Sequence, residues 1–175
     1  SVFLAACIQL NGSSNIERNL SRAEQLIRKA ASHGAELIVT PEATTFLGPH
    51  SRKLELAEEV DGPTNQIFSK LAKELGVHLL IGSVVEKGDE EKVYNTSVLF
   101  GPDGTLIAKY QKIHLFDVSV PGGVTFKESD TCIPGSDVVV AETSLGKIGM
   151  TICYDLRFPE LYAKLIEAGA EIITV

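Results

Sequence analysis

The stretch G-K-I-G-M-T-I-C-Y-D-L-R-F-P-E-L, residues 146–161, decides how the rest of the chain reads. Residues 147–152 are mostly apolar and β-branched, the pattern of a buried strand. Pro159 then opens a helical spacing of Leu161, Leu165 and Ile166. Cys153 stands at the junction. A sulfur there sits at the end of a rigid strand, close to helix N–H groups that favour a thiolate. Hydrolases with a serine nucleophile present their oxygen from the same kind of elbow. A lone cysteine also serves as a small buried hydrophobe, and this stretch alone leaves both readings open.

Working outward, residues 137–142 form a strand, which Ser144-Leu145-Gly146 turns into the strand ending at Cys153. Downstream, residues 168–175 (A-G-A-E-I-I-T-V) echo residues 33–40 (H-G-A-E-L-I-V-T). Each copy reads as a helix end, a glycine stop and a buried strand. The first copy follows a helix that starts with a capping box at Ser14 and Glu17 and carries Ile16, Leu20, Ala23, Ile27 and Ala30 on one face. Ahead of that helix, residues 2–9 read as a buried strand. Its Leu4-Ala5-Ala6-Cys7 matches a lipoprotein cleavage pattern but lacks the basic start and longer apolar core of such a signal. Residues 63–75 form a helix stopped by Gly76, and residues 77–85 a strand. Residues 94–100 and 105–113 pair across Pro102-Asp103-Gly104, a hairpin signal. Residues 117–135 lack periodicity and read as a long functional loop. Strands alternating with helices, with hairpins between them, predict an α/β layered sandwich.

The 175 residues amount to one domain, with 44% hydrophobic and 22% charged residues, as in ordinary globular proteins. A formal net charge of -7 disfavours a nucleic-acid partner, which needs a basic face. No apolar run approaches the roughly 20 residues of a membrane-spanning helix. Cys7, Cys132 and Cys153 are odd in number and show no C-x-x-C spacing, which predicts no disulfide framework or zinc knuckle and a reducing, cytoplasmic setting. Without an initiator Met, and stopping inside an apolar strand, residues 1–175 are expected to be a domain whose C-terminal part is missing.

For Cys153 to act as a nucleophile, a base must take its proton and donors must face the developing oxyanion. Glu42 follows Pro41 directly after a buried strand, and Lys112 lies on the strand over residues 105–113 amid Tyr110, Ile113 and Leu115. Singly, the first also fits a solvated loop acid and the second a snorkelling strand lysine. Together, V-T-P-E (39–42), K-Y-Q-K-I-H-L-F (109–116) and G-M-T-I-C-Y-D-L-R-F-P-E (149–160) resemble, in order, the three signatures of the nitrilase superfamily of carbon–nitrogen hydrolases. The resemblance runs along the whole chain. It implies a four-layer α-β-β-α sandwich with Glu42 as general base, Lys112 as the cation beside the oxyanion and Cys153 as nucleophile. It further implies that Glu128, in F-K-E-S, supports the lysine and the base, and that the N–H of Tyr154 joins Lys112 at the oxyanion.

Within the superfamily, Y-N-T (94–96), F-G-P-D-G-T (100–105), K-I-H-L-F-D (112–117) and T-F-K-E-S (125–129) resemble the omega-amidase branch. R-F-P-E-L (157–161) and P-E-A (41–43) are also similar to deaminated glutathione amidases. Either branch implies an amidase acting through a thioester on a small substrate that carries a carboxylate, without a cofactor, in a homodimer of the full-length protein. Arg157, four positions after the nucleophile, is the expected anchor for that carboxylate. A structural arginine paired with Asp155 or Glu160 is the alternative. Three rivals stand beside this reading: a Cys–His hydrolase using His114, a zinc enzyme, and a redox thiol protein. A fragment of this length is also open to a catalytically inactive, scaffold-like role.

Overall fold

The computed structural model describes residues 2–175. Five strands make the first sheet in the order β1 (Ala5–Cys7), β2 (Leu37–Val39), β3 (His78–Lys87), β4 (Val93–Phe100) and β5 (Leu106–Gln111). The first three run parallel, and β4 and β5 return antiparallel across the predicted hairpin. Alternation along each central strand divides its side chains between two cores. Ile38, Leu79, Ile81, Val98 and Phe100 face helices α1 (Ile16–Ser32) and α3 (Pro63–Leu75), meeting Ala23, Ile27, Phe68 and Leu71. Leu37, Leu80, Leu99 and Tyr110 face the other way, onto a second sheet. That sheet, β10–β9–β8, joins β8 (Val140–Thr143), β9 (Gly146–Met150) and β10 (Ile172–Thr174), and supplies Ala141, Ile148 and Met150. Its outer face carries helix α4 (Pro159–Glu167), whose Leu165 lies against Gly149. The layers are therefore helix, sheet, sheet, helix, the four-layer α-β-β-α sandwich the resemblance implies.

The echo between residues 33–40 and 168–175 is structural. Gly34 (φ 86°) and Gly169 (φ 88°) each end a helix in the left-handed region, which costs glycine least. Each leads into a strand that joins a sheet in parallel. Gly76 (φ 65°) stops α3 in the same way.

Three local expectations are corrected, and one element is added. The cap of α1 is Asn15, whose side chain accepts from the Arg18 N–H at 2.7 Å, in place of the Ser14–Glu17 box. The strand over residues 2–9 shortens to Ala5–Cys7 and leaves Cys7 exposed, because it lies at the end of the sheet. The loop over residues 117–135 holds a hairpin of β6 (Asp117–Ser119) and β7 (Thr125–Lys127) about Pro121-Gly122-Gly123, then a 3₁₀ turn at Glu128–Asp130. Helix α2 (His50–Leu56) was not expected at all: its seven residues include no fully buried one, so no apolar stripe marks it. Among the described residues, no helix is long and apolar enough to cross a membrane.

Candidate active site

Glu42 reaches its place because β3 is bulged. The register between β3 and β4 shifts between Ile81 and Val84, and the turn after β2 settles onto the bulge. Ser83 Oγ accepts from the Ala43 N–H at 2.7 Å, and Thr40 Oγ1 accepts from the Gly82 N–H at 3.1 Å. A Cβ at Gly82 would stand 2.2 Å from the Thr40 carbonyl oxygen and 2.4 Å from Pro41, so only glycine lets the turn come this close. Ala43 is left with φ 56°.

Lys112 follows β5 and is 2% exposed. Its Nζ donates to Glu42 Oε1 at 2.9 Å and to Glu128 Oε2 at 2.8 Å. An ammonium has three donors, so one is left after both carboxylates are served. Burial alone would lower the Lys112 pKa; Glu42 and Glu128 outweigh it and hold the group above its ordinary value. Buried Glu128 also accepts from the Phe116 N–H at 2.7 Å. Between the two carboxylates stands Asn95, whose Nδ2 donates to Glu42 Oε1 at 2.8 Å and to Glu128 Oε1 at 3.1 Å. Sequence reading gave Asn95 no role. Its signal was a carboxamide in the otherwise buried run of β4.

Cys153 opens a 3₁₀ turn, Cys153–Arg157, inserted between β9 and α4. Its φ is 46°; Ala43 and Cys153 are the two non-glycine residues with positive φ among those described. Both flank the same cavity. Strain of this kind costs about 1–3 kcal/mol per residue and persists where surrounding structure enforces it. The sulfur is exposed, and burial together with the neighbouring Glu42 carboxylate pushes its thiol pKa up to about 11. Both causes act against the expected thiolate, and the thiol stands beside the Glu42 carboxylate. The N–H groups of Cys153 and Tyr154 open the turn, where a helix offers no carbonyl of its own to accept them.

Asp155 holds that turn to the end of β5. Fully buried, its carboxylate accepts from Tyr110 Oη (2.7 Å), the Ile152 N–H (2.9 Å), the His114 N–H (3.1 Å) and His114 Nδ1 (2.7 Å). Burial and the Asp155 charge push the Tyr110 phenol far above its ordinary pKa, so it remains a donor. The His114 ring also stacks on Phe158 at 3.8 Å and is absent from the cavity wall. Its place in the Asp155 network disfavours the Cys–His alternative.

Glu42, Lys112, Glu128 and Cys153 therefore meet in one cavity of about 190 Å³, walled by Phe46, Leu47, Val84, Val85, Phe116 and Phe126. Tyr154 packs edge-on against Phe116 at 5.0 Å and links the Cys153 turn to the residue that leads into the β6–β7 hairpin. Arg157 is not brought to this wall. It ends the turn with an exposed side chain, and Asp155 is occupied by other donors. The second cation on the wall is instead Lys53, from α2.

The carbon–nitrogen hydrolase family matches the chain over residues 4–175. The chain belongs to the carbon–nitrogen hydrolase family. Among relatives, it is 44% identical over 173 residues to the omega-amidase NIT2 of Homo sapiens, covering 98% of this chain and 62% of that protein. It is 42% identical over 175 residues to the omega-amidase NIT2 of Danio rerio, covering 99% of this chain and again 62% of that protein. The chain thus spans less than two thirds of the length of these relatives. Among solved structures, the C. elegans NitFhit protein superposes with a TM-score of 0.88 at 30% identity, over 97% of this chain and 42% of that one. Saccharomyces cerevisiae Nit3, a member of branch 10 of the nitrilase superfamily, gives 0.82 at 33% identity, over 97% of this chain and 62% of its own. In this carbon–nitrogen hydrolase chain the three signature stretches supply Glu42, Lys112, Cys153 and Asp155, while Asn95 and Lys53 come to the same region from β4 and α2.

Proposed function

We propose that the intact protein is an amidase that hydrolyses the terminal amide of a small carboxylate-bearing substrate through a thioester on Cys153. The observation that carries this reading is the convergence of Glu42, Lys112 and Cys153, from three distant stretches, on one cavity. The match to omega-amidases supports the substrate class. In the first half-reaction the Glu42 carboxylate takes the thiol proton as sulfur attacks the amide carbon. A thiol held up to about 11 needs such a base, and general-base assistance typically contributes about 10²–10⁴ in rate. The carbonyl oxygen, now an oxyanion, takes the third donor of Lys112 and the Tyr154 N–H. Glu42 returns the proton to the leaving nitrogen and ammonia departs. Water then delivers a proton to Glu42 and its oxygen to the thioester, releasing the acid and restoring the thiol. Glu128 and Asn95 keep Lys112 and Glu42 in register throughout. The family resemblance is the ground for reading the intact protein as a homodimer, and the odd, unpaired cysteines are the ground for a reducing cytoplasm.

Intact-mass measurement of the protein during turnover of a slow amide should show an acyl adduct that vanishes in Cys153→Ala, together with ammonia release. An adduct that persists in Cys153→Ala, or ammonia release that survives the substitution, overturns the assignment.

A further inference from the structure

One charged group on the cavity wall is left unused by the proposed reaction. Lys53, midway along α2 (His50–Leu56), lines the cavity with Glu42, Glu128, Lys112 and Cys153 and is half-buried. Its neighbour Arg52 is paired with Glu55, and Lys112 is taken by its two carboxylates. Among the described residues, no carboxylate lies within ion-pairing distance of Lys53. Two carboxylates against Lys112 leave one negative charge in the wall, enough to repel an anion from Cys153. Lys53 cancels that charge. Lys53 and Glu128 act with opposite sign on the thiol of buried Cys132, which lies on the same wall. Around it the wall is largely apolar, so an ammonium here has few protein partners and is best completed by an anion.

We infer that Lys53 binds the free carboxylate of the substrate, fixing which end of a dicarboxylic acid monoamide is presented to Cys153. The inference rests on the amidase reading above, and it assigns the anchor to α2 in place of Arg157, which stands off this wall. Selectivity follows from charge balance. A neutral amide needs only the apolar wall and the oxyanion donors, whereas an anionic one also needs the charge that Lys53 supplies.

The test compares the intact protein with Lys53→Met, Lys53→Arg and Arg157→Leu on the monoamide of succinic acid and on butyramide, an uncharged amide of the same carbon count. Lys53→Met should lower kcat/KM for the anionic amide about 10- to 100-fold relative to butyramide, as expected for one charged hydrogen bond. The loss should fall mainly on KM, and Lys53→Arg should restore most of it. A second readout needs no turnover: succinate should slow iodoacetamide alkylation of Cys153 in the unsubstituted protein and in Lys53→Arg, but not in Lys53→Met. An equal fall on both amides, protection by succinate that survives Lys53→Met, or selectivity lost in Arg157→Leu instead would overturn the assignment. Should neither amide be hydrolysed by the unsubstituted protein, the amidase reading fails. The alkylation experiment then still decides whether Lys53 holds an anion beside Cys153.

Discussion

Replacing Asp155 by asparagine changes one oxygen into an amino group in a site with no access to water, where its carboxylate accepts four hydrogen bonds. The remaining oxygen can serve one pair of donors, either Tyr110 and the Ile152 N–H or the two from His114. The hydroxyl and the imidazole can each turn round and accept, but a backbone N–H cannot. Whichever way the amide is set, one main-chain donor faces an amino group, at a cost of about 1–3 kcal/mol. Charge-assisted bonds also become neutral ones, which removes roughly another 1 kcal/mol. The sum is about 2–4 kcal/mol, a large part of the 5–15 kcal/mol typical of a domain. For a chain of this size a loss of 3 kcal/mol corresponds to a fall in Tm of about 6–12 °C. Urea unfolding of Asp155→Asn, with Tyr110→Phe beside it, measures the difference. Tyr110→Phe removes one of the four donors, and with it the acceptor of the Ile113 N–H at 3.2 Å, while leaving the carboxylate and its three other bonds, so it measures the hydroxyl's share separately. An Asp155→Asn protein within about 0.5 kcal/mol of the unsubstituted one, the range of an ordinary surface change, would refute the claim that this carboxylate ties the Cys153 turn to β5.

Alkylation of Cys153 by iodoacetamide should rise with pH through about 11, and Glu42→Gln should move that midpoint down, because the Glu42 charge disfavours the thiolate. The same substitution should abolish turnover, so a more acidic thiol in a dead protein is the expected pairing; an unmoved midpoint contradicts it. Lys112→Ala should lower kcat about 10²–10³-fold by removing an oxyanion donor, and should cost about 3–5 kcal/mol of stability by leaving carboxylates unpaired. Since the folded-state pKa of Lys112 is raised, that stability should be fully present below the unfolded value near 10.4 and fade only as pH rises through the folded one, as unfolding at a series of pH values would show. Gly82→Ala should push the Pro41–Glu42 turn off β3, costing about 1–3 kcal/mol and most of the activity; a fully active Gly82→Ala protein would mean that the bulge does not position Glu42.

Much of the fold was legible in the sequence because its signals are local. The α1 stripe, the glycine stops at Gly34 and Gly76, the Pro102-Asp103-Gly104 turn and the strand ahead of Cys153, which stops at Met150, each report the conformation of a few adjacent residues. The three signature stretches likewise carried Glu42, Lys112 and Cys153 as residue types in order. What failed locally was weakly marked: α2 has no buried residue, and β6 and β7 are three residues each and largely exposed, so neither a helical stripe nor an alternation declared them. Only tertiary structure decided the site itself. Glu42 and Lys112 are separated by 70 residues, and their ion pair exists because a bulged β3 and a buried β5 end place them together. Asp155 and Asn95 lie within motif stretches, but neither shows a role until its partners from distant strands are known, since a hydrogen-bonding group acquires a role from the donors and acceptors around it. Arg157 and Lys53 carry the same charge. A sequence can rank them only by distance along the chain from Cys153, whereas the docking of α2 brings Lys53 to the cavity wall and leaves Arg157 exposed at the end of the Cys153 turn.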